Sequence, residues 1–106
     1  MNATDELSPY FLVRVRNGRA DFARWRSAEG HDALALFLSE EVAQRYSAAD
    51  VQETEWRIVR PQRLTVLEIL RGCHDLGIRF AVLDPDGERA KRVFSIGEVL
   101  QAVAME

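Results

Sequence analysis

The pattern of hydrophobic and polar residues is clearest over residues 34–46, where a short apolar run gives way to an amphipathic stretch. Leu34–Leu38 is apolar on both faces, which is typical of a strand inside a sheet. Ser39 is a suitable helix N-cap, and Glu40 and Glu41 would lie in the first turn, where the helix dipole favours negative charge. We therefore predict a central strand that leads directly into a helix.

Before this stretch, alternating polarity over residues 10–16 predicts a half-buried strand. Asn17-Gly18 follows and is a strong signal for a two-residue hairpin, because the turn needs positive φ at both positions. A turn there places Arg14 opposite Asp21, so that two opposite charges face each other across the hairpin. The sequence therefore predicts a first hairpin whose second strand extends to about residue 26.

The rest of the chain alternates between strand-like and helix-like periods. Apolar residues at positions 66, 69, 70 and 73 have the spacing of one helix face, and Gly77 is suited to the position after the helix. Ser95 and Glu98 have the spacing of a capping box at the start of the last helix. The predicted elements are a strand over 53–59, a helix over 62–76 that Pro61 introduces, a strand over 78–83, a turn over 84–87, a strand over 88–94 and a helix over 96–104.

The order of predicted elements is ββ-β-α-β-α-β-β-α. Two hairpins make much of the sheet antiparallel, while the strand–helix–strand segments allow parallel neighbours. We predict one α+β domain over residues 10–106, with a mixed, largely antiparallel sheet and helices mainly on one face. Residues 1–9 are predicted to form a flexible lead-in.

Composition narrows the classes of function. A chain of 106 residues, 47% hydrophobic and 29% charged, has the size and balance of one globular domain. A net charge of −3 disfavours a nucleic-acid binder, and no apolar run approaches the ~20 residues of a membrane span. The polar, acidic N-terminus has no signal-peptide pattern, and arginine far exceeds lysine in an alanine-rich chain. We expect a cytoplasmic bacterial protein that does not bind a membrane.

Two short motifs invite a chemical interpretation, and neither supports one. In Cys73-His74-Asp75, neighbouring helix side chains point about 100° apart, so they cannot form a catalytic relay. Asp84, Asp86 and Glu88 resemble the start of a calcium loop, but glycine falls at the fourth position and Ser95 at the twelfth. We therefore assign no catalytic residue, no cofactor and no metal site, and we do not expect an enzyme.

An apolar face of the first hairpin is the more informative feature. If the hairpin register extends to its ends, Tyr10 lies opposite Trp25, with Leu12 and Ala23 on the same face. Exposed aromatic patches often mark partner surfaces, although the last helix or the N-terminal segment could instead cover this one. We predict a candidate interaction surface formed by Tyr10, Leu12 and Trp25.

The arginines of the hairpin do not make a nucleic-acid ribbon in this register. Arg14 and Arg16 point to one face, while Arg24 and Arg26 point to the other. A basic strip for a phosphate backbone needs its cations on one side. A nucleic-acid partner is therefore not expected.

The segment Leu36–Ala43 resembles the opening of SseB-like domains and related small bacterial α/β domains of unknown function. The similarity continues loosely through residues 61–70 and 78–83. The resemblance implies a non-enzymatic protein that acts through protein contacts, and it would allow a link to secretion. It carries over no functional residue, because no catalytic motif of that family is matched.

The sequence thus favours a small cytoplasmic domain that acts by protein–protein interaction or self-association, through a sheet face or an exposed edge. The alternative is a small-molecule-sensing regulatory domain with a pocket between sheet and helices. The shape of the cavity separates them: a closed apolar pocket favours the ligand, and a flat aromatic face favours the partner.

Overall fold

The computed structural model describes residues 8–27, 29–48, 56–86 and 89–104. Over these ranges the chain has the predicted α+β class, with strands and helices in the predicted order except that the second strand of the first hairpin is divided in two. The elements are β1 Phe11–Arg16, β2 Arg19–Phe22, β3 Arg24–Arg26, β4 Asp32–Leu36, α1 Glu40–Ala48, β5 Arg57–Val59, α2 Arg63–Asp75, β6 Phe80–Leu83, β7 Arg92–Ser95 and α3 Ile96–Ala104.

The strands form two sheets where the sequence predicted one. A three-stranded sheet has the order β2-β1-β5 and is antiparallel throughout. A four-stranded sheet has the order β3-β4-β6-β7, in which β4 and β6 are parallel and the outer pairs are antiparallel. The strand pairing is therefore mixed and largely antiparallel, as predicted, and β4 and β6 are the interior strands of the four-stranded sheet.

The division into two sheets occurs at Ala23. The predicted register holds at the turn, where Arg14 lies opposite Asp21, and Asn17 and Gly18 have φ values of 53° and 77°. Beyond Phe22 the strand leaves its partner: the Ala23 amide still donates to the Leu12 carbonyl at 3.0 Å, but the Ala23 carbonyl accepts from the Ala35 amide at 3.0 Å. Ala23 therefore forms backbone hydrogen bonds with both sheets.

This division corrects one predicted pairing. Tyr10 does not face Trp25; it forms an isolated antiparallel bridge with Phe37, while Trp25 pairs with Ala33 in the four-stranded sheet. The sequence-based register assumed that the hairpin continued as a flat ribbon. A small, fully packed residue at position 23 lets the strand bend away instead, and Ala23 is only 3% exposed.

Neighbouring residues of the same strand enter two different hydrophobic clusters. Leu34 and Leu36 belong to the cluster that α2 and α3 cover. Ala35 and Phe37 belong to a second, smaller cluster that α1 covers through Ala43. This explains why Leu34–Phe37 is apolar without alternation, because both of its faces are buried. Two of the three helices share one face, as predicted, and α1 packs on the other.

Three residues predicted to begin or end helices, Ser39, Ser95 and Gly77, have those positions in the structure. The Ser39 hydroxyl accepts a hydrogen bond from the Val42 amide at 3.2 Å, and the Ser95 hydroxyl accepts one from the Glu98 amide at 3.3 Å. Gly77 follows α2 with a φ of 92°, a conformation that favours glycine. Pro61 precedes α2 by two residues and is not its first residue.

Parts of several predicted segments lie outside the described residues. These are residues 1–7 of the lead-in, residues 53–55 of the strand before α2, and residues 87 and 88 of the second hairpin. At the described end of the lead-in, Pro9 is buried and the Ser8 carbonyl accepts a hydrogen bond from Arg60 Nε at 2.9 Å. None of the described helices has the length and apolar character needed to cross a membrane.

Replacing Ala23 by leucine should destabilise the protein by about 1–3 kcal/mol, because the larger side chain has no space at the junction of the two sheets. Ala20→Leu is the matched control, since Ala20 is exposed in the same hairpin and its replacement should change the free energy of unfolding by less than about 0.5 kcal/mol. Urea denaturation measures both. Equal stabilities of the two variants would contradict the tight junction.

Candidate functional site

The three residues of the predicted interaction surface do not lie together on one surface. Leu12 is 1% exposed and belongs to the small cluster under α1, so it is a core residue and adds nothing to an exposed face. Tyr10 is half-buried at the edge of that cluster, with the Arg60 guanidinium 5.1 Å from its ring centroid. Trp25 is half-buried on β3. Among the described residues, α1 covers Leu12 through Val42, Ala43 and Tyr46.

Trp25 instead lines a half-open groove of about 550 Å³. The groove lies between β3, one face of α1, the residue before β5 and the loop after β6. The residues that line it are Ala23, Arg24, Trp25, Val42, Arg45, Tyr46, Trp56, Asp84, Pro85 and Asp86.

The α1 wall of the groove follows from helical spacing. Val42, Arg45 and Tyr46 lie three and four residues apart, which places them on one face of the helix. The Tyr46 hydroxyl donates a hydrogen bond to the Arg24 carbonyl at 2.9 Å, and its ring lies 5.3 Å from that of Phe37. Helix and strand are therefore held at a defined separation, with the groove between them.

Trp56 forms another part of the lining and is supported from the first hairpin. The Arg14 guanidinium lies 4.5 Å from the centroid of the indole ring, a cation–π contact. Arg14 Nε in turn donates to Asp21 Oδ2 at 3.0 Å. The cross-strand charge pair that the sequence predicted thus helps to hold a groove residue in place.

Asp84 directly follows β6 and has a φ of 50°, a conformation that L residues rarely adopt. Its amide donates to the Leu36 carbonyl at 2.8 Å, and its Oδ1 accepts a hydrogen bond from the Leu38 amide at 2.9 Å. The residue therefore links the carboxyl ends of the parallel strands β4 and β6. Strained backbone held by its surroundings in this way is frequent at functional sites.

The charged side chains that line the groove differ in whether an opposite charge lies close to them. Arg24 Nη2 lies 3.9 Å from Asp21 Oδ1, so part of its charge is offset outside the groove. Arg45 and Asp86 have no hydrogen-bond or ion-pair partner for their side chains within the described part of the chain. The groove thus presents a cation on the α1 wall and an unpaired carboxylate on the loop after β6.

An exposed apolar face continues from the groove across the four-stranded sheet. Trp25 lies opposite Ala33, and Ala33 lies opposite Phe80, so the two aromatic residues flank one small residue on the same face. Phe80 is 41% exposed, and Val93 on the same face is 61% exposed. We call Trp25, Phe80 and Val93 the apolar face; it lies opposite the face that α2 and α3 cover.

Cys73 is placed as the sequence predicted, inside the main core. It is 7% exposed, and burial raises the pKa of its thiol, with the Arg24 charge acting weakly in the other direction. His74 is half-buried against Gly97 of α3, and Asp75 is exposed. The three neighbours therefore point to different surroundings. Among the described residues, no three His, Cys, Asp or Glu side chains are close enough to hold a metal ion.

The sequence identified Trp25 and missed the rest of the groove. The sequence predicts Arg45, Trp56 and Asp84 only as parts of a helix, a strand and a turn. The available signal was the α1 face with Arg45 and Tyr46 one turn after Val42, together with the fact that the chain has only two tryptophans. Their convergence depends on tertiary contacts that no local pattern contains.

Comparison with family models finds no matching family, and a search of curated proteins finds no match. The resemblance of Leu36–Ala43 to SseB-like domains therefore stays a prediction. The residues of the groove must be interpreted from their own geometry.

Asp84→Ala should destabilise the protein by about 1–2 kcal/mol, because it removes the acceptor for the Leu38 amide and leaves alanine with a positive φ. Asp84→Asn keeps an acceptor oxygen and tolerates this φ, so its free energy of unfolding should stay within about 0.5 kcal/mol of the parent value. Chemical denaturation distinguishes them, and equal losses in both variants would show that charge, not geometry, matters here.

Alkylation of Cys73 by iodoacetamide at pH 8 should be at least roughly tenfold slower in the native protein than in urea, because the thiol is buried and its raised pKa lowers the thiolate fraction. The native rate should increase with pH as the thiolate forms. Mass spectrometry follows the reaction. Labelling of the native protein at the unfolded rate would contradict a buried, structural cysteine.

Proposed function

We propose that the chain is a protein-binding domain that holds a segment of a partner protein in the groove between β3 and α1, with Trp25 and Trp56 as its anchors. The observation that carries this proposal is that both tryptophans of the chain line one half-open groove. We propose the bacterial cytoplasm as its compartment on the basis of the sequence composition alone.

The shape of the groove favours a segment of a larger molecule. Small-molecule sites usually enclose most of the ligand surface, whereas this groove is about half open. A volume of about 550 Å³ accommodates a few side chains. An extended segment could therefore enter with its side chains while the rest of the partner stays outside.

The residues of the groove are those that carry most of the binding energy in protein interfaces. Tryptophan, tyrosine and arginine are enriched among such residues, and the groove has Trp25, Trp56, Tyr46 and Arg45. The apolar face adds exposed surface beside the groove through Phe80 and Val93. A stable interface needs roughly 800 Å² on each partner, which a groove combined with a neighbouring sheet face supplies more readily than a groove alone.

Addition of a partner strand at β3 is a less suitable mode. The Ala23 carbonyl and the Ser27 amide form hydrogen bonds with Ala35 of β4 and with His31 just before it. Because backbone groups of successive strand residues point in alternate directions, those of Arg24 point to the outer edge of the sheet. The Tyr46 hydroxyl already occupies the Arg24 carbonyl at that edge. Side-chain recognition in the groove therefore agrees better with the geometry than β-strand addition does.

A small-molecule sensor is the second candidate. Its support is the convergence of Asp84, Arg45 and three aromatic residues on one concavity, whose volume lies within the usual range of about 300–1,000 Å³ for ligand sites. Self-association, a further form of protein contact, would use the apolar face of two copies. The experiment below distinguishes these candidates.

A random-peptide display selection against the full chain should enrich peptides whose binding depends on Trp25. Trp25→Ala should weaken the best of them at least tenfold, because truncation of an aromatic anchor costs about 2 kcal/mol or more. Leu64→Ala is the matched control, since Leu64 is 74% exposed on α2 and does not line the groove. Titration of the tryptophan fluorescence measures the affinity directly, because both indoles lie at the site.

Urea denaturation of the Trp25 variant must accompany the binding assay. A second pair of variants, Arg45→Glu and its control Arg71→Glu, leaves the core intact because both arginines are exposed. Failure to enrich any Trp25-dependent peptide, combined with saturable binding of a metabolite that shifts the tryptophan emission, would favour the sensor. Concentration-dependent sedimentation abolished by Val93→Glu would favour self-association.

A further inference from the structure

The charges that line the groove are separated between its walls. Asp84 and Asp86 lie on either side of the buried Pro85, in the loop that follows β6. Arg24 is the groove cation whose charge Asp21 partly offsets. Arg45 lies on the α1 wall, and no ion pair within 4.0 Å joins it to either carboxylate in the described residues. The two carboxylates therefore make the loop end of the groove locally negative, which favours a cationic group of a partner there.

The aromatic lining favours the same sign of ligand. The face of an indole ring attracts a cation, most strongly a guanidinium, and a nearby carboxylate adds to this attraction. The protein already uses this interaction, since the Arg14 guanidinium lies 4.5 Å from the ring centroid of Trp56. Trp25 lines the same groove as Asp86 and is half-buried, so part of its side chain is accessible to a partner.

We propose that the partner segment is basic, and that it enters the groove with an arginine or lysine side chain whose cation contacts Trp25 and forms an ion pair with Asp84 and Asp86. This inference rests on the proposed function and gives its partner a chemistry. The net charge of −3 adds long-range attraction for such a segment.

Arg45 gives the bound segment a direction. It lies on the α1 wall, whereas the two carboxylates lie on the loop after β6. A second cation of the partner would be repelled at the α1 wall, and an acidic or neutral residue would be accepted there. The preferred segment therefore has one basic residue at the loop end and no basic residue at the α1 end.

The test uses the peptides from the random-peptide selection described above, restricted to those that require Trp25. Arginine or lysine should be enriched at one position of these peptides. The double variant Asp84→Asn, Asp86→Asn should weaken them roughly tenfold, because it removes charge while the acceptor oxygen at position 84 is retained. Asp75→Asn is the matched control, since Asp75 is exposed and does not line the groove.

Two further measurements make the result specific. Replacing the basic residue of a selected peptide by glutamine should cause a similar loss with the parent protein and almost none with the double variant, which is the signature of a direct contact. Affinity for the parent should fall as salt is raised from about 50 to 500 mM, and this dependence should be smaller for the double variant.

The outcomes separate the two proposals. Trp25-dependent peptides without an enriched basic residue, or with affinity unchanged in the double variant, would overturn the basic-segment inference and leave the binding groove in place. Absence of any Trp25-dependent peptide would overturn the proposed function and this inference with it.

Discussion

The structure depends on the two hydrogen bonds that Ala23 makes in opposite directions. Its amide pairs with Leu12 in the three-stranded sheet, and its carbonyl pairs with Ala35 in the four-stranded sheet. Because the amide and the carbonyl of Ala23 are each hydrogen-bonded, one in each sheet, the strand can bend between the sheets without leaving a buried polar group unpaired. A larger side chain would not fit, since Ala23 is enclosed by the small cluster under α1. The change of sheet between β2 and β3 therefore takes place at this junction.

The groove is a result of the same bend. Trp25 would have continued the first hairpin, but after Ala23 it lies in the edge strand of the second sheet, beside α1. The Tyr46 hydroxyl then bonds to the Arg24 carbonyl, which protects an otherwise open strand edge. A device that limits edge-to-edge aggregation thus also forms a wall of the candidate site. The Tyr46 side chain thus has a structural role and also lines the groove.

Local patterns predicted the elements well where a residue's role is set by its neighbours in sequence. The caps at Ser39 and Ser95 and the turn at Asn17-Gly18 depend on backbone groups within three residues, and they were found where expected. The extension of the first hairpin to a Tyr10–Trp25 pair was wrong, because alternation does not reveal where a strand changes its partner. The unbroken apolar run before Ser39 did indicate that β4 is covered on both faces, because a strand buried on both faces needs a packing partner on each.

The candidate site was only partly predictable for a related reason. Trp25 was identified as an aromatic residue outside the main core, but its partners Trp56 and Asp84 are 31 and 59 residues away in the sequence. Nothing in the local spacing brings them together. Their meeting depends on the parallel pairing of β4 with β6 and on the docking of β5 against β1. Both are long-range contacts that a single sequence does not specify.

The assembly of the groove from distant segments has a thermodynamic consequence. Its walls come from β3, α1, the residue before β5 and the loop after β6, so they coexist only when both sheets are paired and docked. An occupant that binds this arrangement, and not the unfolded chain, must stabilise the whole domain by mass action. Binding of an occupant would therefore hold both sheets in their docked arrangement, so that binding and folding would be thermodynamically linked.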